Sequence, residues 1–358
     1  MKSRRNLKIL NVVGIAVVLG AYAIFLFFVS SGTVPTYGGI TFESDNVREG
    51  EYRPVIGGVA VTSTDTGTGT LGAILENSTG QYAVTSRHVI DSTYCEDVVD
   101  SETVKGEPAY QPAVNDSWCI GTVADHSDDS GAGASDWALI NTTDNIPVNN
   151  TILGVSNVGS NVTPSVGDRI VMSGMNTGML GGVVTNTDVK ANLQGCLVDD
   201  LIAYQVDDNA DTSGNSGSLV GVIDGNNQFR PVGFHSFQVN DTRYAIPLSD
   251  VTDSTNATLA TGDNITGSDL ETDVAQQVEA TAVSYNSSAN TTDVLVANVG
   301  GSPIDVTIQT RETGSLNIMD ETNVSVPPVD SKTVTLNTTS DRFELDYERN
   351  RVTVEFSA

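Results

Sequence analysis

One segment, Asp211-Thr212-Ser213-Gly214-Asn215-Ser216-Gly217-Ser218-Leu219-Val220, indicates the fold of this chain most directly. It sets one serine between two glycines and continues into apolar residues that can form a buried strand. Gly214 and Gly217 permit backbone angles that a residue with a Cβ resists, so the chain can turn sharply and present the Ser216 hydroxyl. The same turn can aim the amides of Gly214 and Ser216 at one point, as an oxyanion hole requires. Alone, the stretch is typical of ordinary turns, so its meaning depends on what lies upstream.

Two upstream stretches carry the groups that such a serine needs. Residues 82–90 form a β-prone run that contains His88, and residues 134–140 contain Asp136 at the entrance to an apolar run. A serine hydroxyl becomes a nucleophile only with a base within hydrogen-bond reach, and that base needs a carboxylate to fix its tautomer. His88, Asp136 and Ser216 are therefore the candidate base, carboxylate and nucleophile.

Other acidic residues compete with Asp136 for this role. Asp125, Asp128 and Asp129 lie beside His126 in a polar, glycine-flanked stretch. We expect them to be solvated surface residues and His126 to be exposed in a loop. Only Asp136 directly precedes an apolar strand.

The order His, Asp, Ser, with the residues around each, resembles the chymotrypsin-like (trypsin-fold) serine proteases over residues 55–251. The Ser-Arg-His-Val-Ile around His88 is similar to that family's Thr-Ala-Ala-His stretch, although Arg87 stands where the family prefers a small residue. The resemblance implies two six-stranded antiparallel β-barrels, with His88 and Asp136 from the first and Ser216 from the second. It implies hydrolysis of peptide bonds through an acyl-enzyme, with protein or peptide substrates and no cofactor.

A later stretch, Pro231-Val232-Gly233-Phe234-His235-Ser236-Phe237, makes the glutamyl endopeptidase branch the nearest in motif. In that branch the matching histidine binds the substrate carboxylate, which assigns His235 to the substrate pocket. The alternative is a strand histidine packed behind the pocket. Asp211 stands where that branch has a hydroxyl residue, and a carboxylate there would favour Lys or Arg substrates instead. The substrate side-chain preference therefore stays open.

Asn215 stands where digestive members of the family have an aspartate that captures a freed N-terminal amine. A neutral amide cannot form that buried ion pair. We therefore expect the intact chain to be active without cleavage near Val55.

The composition limits the partners. The chain has 358 residues, of which 39% are hydrophobic, enough for one or two packed domains. Its net charge of −28, from 45 acidic and 17 basic residues, argues against nucleic acid and anionic membrane surfaces as partners. This composition resembles that of proteins from salt-loving archaea, since molar salt shortens the Debye length to about 3 Å and relieves self-repulsion. An acidic secreted protein of another origin is the alternative.

Three cysteines are too few for a disulfide scaffold. Either Cys95 pairs with Cys119 and leaves Cys196 free, or all three are buried thiols. Neither the cysteines nor the three histidines have the spacing of a metal site, so we predict no bound metal.

The N-terminus carries a membrane signal. A basic end, residues 1–8, precedes an apolar run over 9–29 that would span about 31 Å as a helix, which matches a bilayer core. We predict a single-pass transmembrane anchor with the bulk of the chain outside the cell. Cleavage as a signal segment, and hence secretion, is the alternative. Asn-X-Ser/Thr glycan acceptors occur only after Ser30, consistent with an external glycoprotein.

Residues 30–54 are polar and punctuated by Gly and Pro, and predict a stalk. From residue 55 to 252 many short β-prone runs follow one another, so the fold class is all-β. Residues 253–275 predict a linker. Residues 276–358 alternate polar and apolar positions in six to eight runs and predict an immunoglobulin-like β-sandwich, a spacer or a module for a cell-surface partner.

A second function class remains open at this stage. A surface adhesion or assembly protein would keep the barrel scaffold but hydrolyse nothing. The glycan acceptors, the C-terminal sandwich and the imperfect motif around His88 favour it.

Overall fold

The structure is a computed structural model that describes residues 47–260 and 278–356, except for residues 65, 93, 96–103, 129–133, 144, 156–157, 194, 208–209, 227, 301, 313–316, 339–342 and 349–350. The described residues belong to one compact unit, 36–358. Within them, no helix has the length and apolar character needed to cross a membrane. The predicted membrane segment 9–29, most of the stalk and most of the linker lie outside the described residues.

Residues 55–252 form two halves, and the first is a wrapped antiparallel sheet with a small parallel pair beside it. Its strands are β1 (Val55–Gly57), β2 (Val59–Ser63), β3 (Thr68–Leu71), β4 (Ala73–Asn77), β5 (Gly80–Thr85), β6 (Pro108–Tyr110), β7 (Cys119–His126), β8 (Ala138–Thr142) and β9 (Val148–Ile152). The sheet order is β4-β5-β8-β7-β6-β2-β3, and β1 pairs with β9 in parallel. Alternate positions point inward, so Val61, Ile74 and Ile140 meet in one apolar core.

The second half is a closed six-stranded barrel. Its strands are β10 (Arg169–Gly174), β11 (Gly178–Leu193), β12 (Cys196–Val206), β13 (Leu219–Ile223), β14 (Phe229–Val239) and β15 (Thr242–Pro247). They pair in the order β10-β11-β12-β15-β14-β13, and β13 returns to β10. Ile170, Tyr204 and Val220 fill the interior.

The prediction of two six-stranded barrels is confirmed for the second half, and the first half also closes on itself. The end strands of its sheet, β3 and β4, are separated along the chain only by Gly72, whose amide donates to the Val84 carbonyl at 2.8 Å. Residues 68–77 therefore act as one bent strand that pairs with β2 at one end and with β5 at the other. The other edge of β3 contacts the second half, because the Thr70 amide donates to the Ser216 carbonyl at 2.7 Å.

Helices are short in the described residues. Helix α1 (Arg87–Ile90) follows β5, and α2 (Leu248–Thr255) follows β15. The predicted β-prone run over residues 82–90 is therefore wrong beyond Thr85: the strand stops at Thr85, and His88 lies in α1. The predicted linker begins too early, since α2 continues to Thr255 and strand β16 (Thr258–Leu259) pairs with β4.

The C-terminal region is a sandwich of two sheets. Its strands are β17 (Val278–Asn286), β18 (Thr291–Asn298), β19 (Ile304–Glu312), β20 (Ile318–Val326), β21 (Asp330–Asn337), β22 (Phe343–Glu348) and β23 (Arg351–Phe356). One sheet is β17-β18-β21 and the other is β20-β19-β23-β22, with β19 and β23 parallel. Val294, Ile308 and Val352 pack between the sheets. The immunoglobulin-like character of this sandwich stays a prediction.

The disulfide differs from the predicted alternatives. Cys95 bridges Cys196, with their Cα atoms 5.3 Å apart, and Cys119 is the free cysteine. The long hairpin of β11 and β12 brings Cys196 to the segment after α1. Cys119 instead starts β7 in the first sheet, where its Sγ contacts the Gly121 carbonyl. The bridge therefore joins the two halves of the 55–252 region.

Candidate active site

The turn before β13 presents Ser216. Gly214 and Gly217 have φ of +83° and +94°, which side chains with a Cβ rarely adopt. A Cβ at Gly217 would also overlap the Thr70 carbonyl. The Gly217 amide donates to the His235 carbonyl at 2.7 Å and fixes the turn against β14. Both glycines are thus required by the geometry that exposes the hydroxyl.

His88 lies within reach of this hydroxyl. Its Nε2 is 2.9 Å from the Ser216 Oγ, and its Nδ1 is 2.8 Å from the Asp136 Oδ2. The other Asp136 oxygen accepts a hydrogen bond from the His88 amide at 3.0 Å. Three residues spread over 128 positions of sequence therefore form one continuous line of contacts.

Asp136 is fully buried, and a third donor reaches it. The Ser236 hydroxyl donates to the same Oδ2 that contacts His88. Burying a carboxylate is unfavourable unless it is hydrogen-bonded, and these donors compensate it. Sequence reasoning missed this role of Ser236. The signal was its position directly after His235 in the quoted stretch, where only the histidine received a role.

The Ser216 hydroxyl has two acceptors and one proton. Besides the His88 Nε2, the Ser236 carbonyl lies 2.9 Å from its Oγ. A neutral His88 accepts the proton of Ser216. A protonated His88 donates from Nε2 to the Ser216 Oγ, so the hydroxyl proton turns to the Ser236 carbonyl. The protonation state of His88 thus decides where the serine proton points.

The pKa of His88 is raised above its usual value. Burial lowers this pKa, but the negative charge of Asp136 and the hydrogen bond from Nδ1 raise it by more. The Asp136 carboxylate also selects the tautomer, because it accepts a proton from Nδ1 and leaves Nε2 free to accept one from Ser216.

The two amides assigned to the oxyanion hole lie in the same turn. Thr70 donates to both carbonyls of this turn. Its hydroxyl donates to the Gly214 carbonyl at 3.0 Å, and its amide donates to the Ser216 carbonyl at 2.7 Å. The Gly214 and Ser216 amides form no hydrogen bond with another described residue. They are available to a ligand oxygen beside the Ser216 hydroxyl.

Asn215, between these two amides, is completely buried. Its Oδ1 accepts from the Asn176 and Thr177 amides at 3.0 and 3.3 Å, and its Nδ2 donates to the Thr177 hydroxyl at 2.7 Å. The Asn215 side chain is thus held by the turn between β10 and β11. Being neutral, it makes no ion pair with a freed N-terminal amine of the kind that the aspartate of digestive family members makes.

A cleft of about 370 Å³ opens beside Ser216, and both residues assigned to the substrate pocket line it. His235 is 1% exposed, and its Nδ1 pairs with the Tyr204 hydroxyl at 2.8 Å. Burial, with smaller contributions from His88 and Arg243, lowers the pKa of His235 to about 3. The imidazole is therefore neutral at physiological pH. Sequence reasoning left its charge open.

Asp211 is exposed at the rim of this cleft. Its Oδ1 accepts from the Ser213 hydroxyl at 2.7 Å and from the Ser213 amide at 3.0 Å. These two hydrogen bonds lower the pKa of Asp211 below its usual value. The carboxylate is therefore ionised at neutral pH.

The unusual Arg87 is accommodated by pairing. Its guanidinium is buried, and Nε donates to the Asp91 carboxylate at 2.8 Å, one helical turn away. The guanidinium also stacks over the Tyr94 ring at 5.2 Å.

His126, expected in an exposed loop, instead ends β7 and is half-buried. Its backbone pairs with Ala138 of β8, so β7 continues through His126. Among the described residues, no three His, Cys, Asp or Glu side chains are arranged to hold a metal ion.

Comparisons with known proteins give similarities to solved structures only. No protein-family model and no curated protein matches the chain. Thermobifida fusca Protease A is similar at 16% identity with a TM-score of 0.44, over 58% of this chain and 99% of its own. Cellulomonas bogoriensis chymotrypsin is similar at 21% identity with a TM-score of 0.43, over 58% and 99%.

A third similar structure is a glutamic-acid-specific serine protease that uses a histidine triad in substrate binding. It shares 16% identity with a TM-score of 0.43, over 57% of this chain and 100% of its own. Similarity of this size assigns neither an activity nor a substrate preference to this chain.

Proposed function

We propose that the chain is a serine endopeptidase of chymotrypsin-like fold that hydrolyses peptide bonds through an acyl-enzyme. The observation that carries the proposal is the line of contacts from the Ser216 Oγ through His88 to Asp136, at 2.9 and 2.8 Å. A turn serine without function has no need of a tautomer-fixed imidazole, itself backed by a buried carboxylate.

Acylation follows from this geometry. Ser216 attacks the substrate carbonyl while His88 takes its proton at Nε2, and Asp136 stabilises the imidazolium that forms. The negative oxygen of the tetrahedral intermediate accepts hydrogen bonds from the Gly214 and Ser216 amides. His88 then donates its proton to the leaving amine. Water then loses a proton to His88 and attacks the acyl group, and His88 returns that proton to the Ser216 Oγ as the bond to the acyl group breaks, which releases the acid.

The test is hydrolysis of a fluorogenic peptide library in molar KCl. Wild type is expected to cleave, and Ser216→Ala to lose cleavage. Ser218→Ala is the matched control, because its hydroxyl lies two residues along the same turn and is buried without a partner among the described residues. Equal cleavage by wild type and Ser216→Ala would overturn the proposal. If the wild-type chain cleaves no peptide and its Ser216 does not react with a fluorophosphonate, the adhesion function is favoured.

The charge at the cleft supports a preference for basic substrate side chains. Asp211 brings an ionised carboxylate to the rim, whereas His235 is neutral and engaged with Tyr204. A carboxylate attracts Lys or Arg and repels Glu or Asp. We expect wild type to favour Lys or Arg over Glu before the cleaved bond, and Asp211→Asn to reduce that ratio. A ratio that favours Glu, unchanged in Asp211→Asn, would assign the preference to His235 instead.

We also propose that the enzyme is anchored in the cell membrane by residues 9–29 with its catalytic region outside. The support is the apolar run after a basic end, and the restriction of glycan acceptors to the chain after Ser30. Alkaline carbonate extraction of membranes from expressing cells tests it. The full chain is expected in the membrane pellet, and a chain lacking residues 1–30 in the supernatant. Release of the full chain would indicate cleavage and secretion.

A further inference from the structure

A buried ion pair lies behind the catalytic region. Arg48 precedes β1, and Glu279 is the second residue of β17 in the C-terminal sandwich. The guanidinium Nε donates to the Glu279 Oε1 at 2.9 Å and Nη2 donates to Oε2 at 2.7 Å. The two side chains are only 2% and 4% exposed. Such a bidentate pair is geometrically specific, and each partner depends on the other for compensation of its charge.

The remaining donors of Arg48 reach both halves of the catalytic region. Nη1 donates to the Gly58 carbonyl at 2.7 Å and to the Ser173 hydroxyl at 2.9 Å, and Nη2 donates to the Leu153 carbonyl at 3.2 Å. Every guanidinium N–H thus has an acceptor. One side chain joins the segment before β1, the first sheet, the second barrel and the sandwich.

The pair holds one hairpin from both of its strands. Ser173 on β10 contacts Arg48, and the amide of Met179 on β11 donates to the Glu279 Oε2 at 2.9 Å. Ser173 and Met179 are cross-strand partners, followed only by Gly174 and Gly178 before the turn. A Cβ at Gly178 would lie 2.7 Å from the Glu279 carboxyl carbon, so the carboxylate packs directly against the hairpin.

The far side of the same turn contacts the residues around Ser216. The Asn176 and Thr177 amides hold the buried Asn215 side chain. The Met175 amide donates to the Thr70 hydroxyl at 2.9 Å, and that hydroxyl donates to the Gly214 carbonyl at 3.0 Å. The 174–178 turn thus contacts the Arg48–Glu279 ion pair on one side and the segment 214–217, which carries Ser216, on the other.

We propose that Arg48 and Glu279 are positioning residues for the oxyanion hole, so that the C-terminal sandwich is a required part of the catalytic unit. This inference rests on the proposed peptidase function. The pair acts through the 174–178 turn and Asn215, which set the direction of the Gly214 and Ser216 amides. Displacement of these amides weakens hydrogen bonds that matter mainly in the transition state, so kcat falls while KM changes little.

The test compares two ways of disturbing the contact between sandwich and barrel. Glu279→Gln removes the charge but keeps the shape. Arg169→Gln is the matched control, because Arg169 contacts the Ala282 carbonyl of β17 at 2.9 Å from the opposite end of β10. We expect Glu279→Gln to lower kcat about 10- to 100-fold, with KM within about twofold. Arg169→Gln is expected to keep kcat within about threefold.

Loss of folding is separated from loss of positioning by a second variant. Arg48→Met with Glu279→Met replaces the pair by apolar side chains of similar length, which restores stability but not the contacts to Ser173 and Met179. Circular dichroism is expected to show that this double variant is folded. Its kcat is expected to fall as much as that of Glu279→Gln. Full kcat in either the double variant or Glu279→Gln would overturn the proposal.

Amide hydrogen exchange supplies a readout that needs no activity. Glu279→Gln is expected to speed exchange of the Asn176 and Thr177 amides at least tenfold, and Arg169→Gln to leave it unchanged. Unchanged exchange in Glu279→Gln would overturn the proposed contact path. If the wild-type chain neither cleaves peptides nor reacts with a fluorophosphonate, and Glu279→Gln still speeds exchange of these amides, the contact path is supported and only the peptidase function is rejected.

Discussion

The two sides of the cleft hold their functional groups by different means. On one side, His88 and Asp136 are fixed by direct hydrogen bonds between ionisable groups, with Ser236 as a further donor. On the other side, Ser216 lies in a turn held by neutral groups, chiefly Thr70 and the Asn215 amide.

This difference corresponds to where charge moves in the proposed mechanism. A proton passes through His88, so a fixed negative charge behind the ring favours the imidazolium. Negative charge develops beside Gly214 and Ser216, where a carboxylate at position 215 would oppose it. Asn215 is uncharged, and it is held as an acceptor at Oδ1 and as a donor at Nδ2. The ion pair that supports this side, Arg48 with Glu279, lies behind the hairpin.

The largest expected effect comes from removing either partner of the proton transfer. Ser216→Ala and His88→Ala are each expected to lower kcat by about 10⁵-fold or more, and the double variant by little more than either, because the residues act as a unit. Single-turnover hydrolysis measures this. Additive losses in the double variant would mean that the two residues do not cooperate.

Asp136→Asn is expected to lower kcat by about 10⁴-fold with little change in KM. The amide keeps the shape of the carboxylate but no longer selects the tautomer in which Nε2 accepts a proton. Steady-state kinetics on the preferred peptide tests this, with Asp125→Asn at the nearby surface as the control. A loss below tenfold would move the carboxylate role to another residue.

Ser236→Ala is expected to lower kcat about 10- to 100-fold, the value of one hydrogen bond to a charged group. It removes one donor to Asp136 and leaves both contacts of His88 in place. Ser236→Thr retains a hydroxyl and is expected to recover most of the rate. If both variants behave alike, the hydroxyl has no part in orienting Asp136.

The pH profile is expected to show a smaller effect that belongs to the acid–base side alone. Catalysis needs neutral His88, so kcat/KM rises with pH through the pKa of His88 in the free chain. Because Asp136 raises that pKa, the acid limb is expected above pH 6.5, and in Asp136→Asn it is expected to move to lower pH, since burial alone lowers the pKa. Glu279→Gln, on the nucleophile side, is expected to leave the limb in place. A limb that does not move in Asp136→Asn would contradict this assignment.

The smallest expected effect on rate comes from the disulfide that joins the two halves. Cys95 and Cys196 are 101 residues apart, and opening such a loop costs about 4 to 5 kcal/mol of unfolding free energy in the chain-entropy model. Cys95→Ser with Cys196→Ser is expected to lower thermal stability strongly but kcat only about threefold. Cys119→Ser is the control, with stability near wild type. Loss of activity in a folded double variant would show that the bridge shapes the cleft.

The sequence predicted what short segments determine. The glycines around Ser216, the run before His88 and the aspartate before β8 are local patterns, and the structure brings their three side chains together. Their fixed order along the chain was enough to suggest a site because the chemistry needs those residue types together.

Contacts between distant segments could not be predicted in this way. The pairing of Cys95 with Cys196 depends on the length of the β11–β12 hairpin. The hydrogen bond from the Thr70 amide to the Ser216 carbonyl joins two segments that lie far apart in the sequence. Arg48 and Glu279 are separated by 231 positions and look like ordinary surface charges in the sequence. Ser236 needed the strand register of β14, since a shift by one residue would turn its hydroxyl away from Asp136.

The most direct test of the central claim is the identity of the residue that a fluorophosphonate acylates in the intact chain. Reaction in molar KCl followed by peptide mass spectrometry is expected to place the label on Ser216, near one per chain. The label is expected to be absent in Ser216→Ala, strongly slowed in His88→Ala and unchanged in Ser218→Ala. No label on the folded wild-type chain, or a label that persists in Ser216→Ala, would contradict the account.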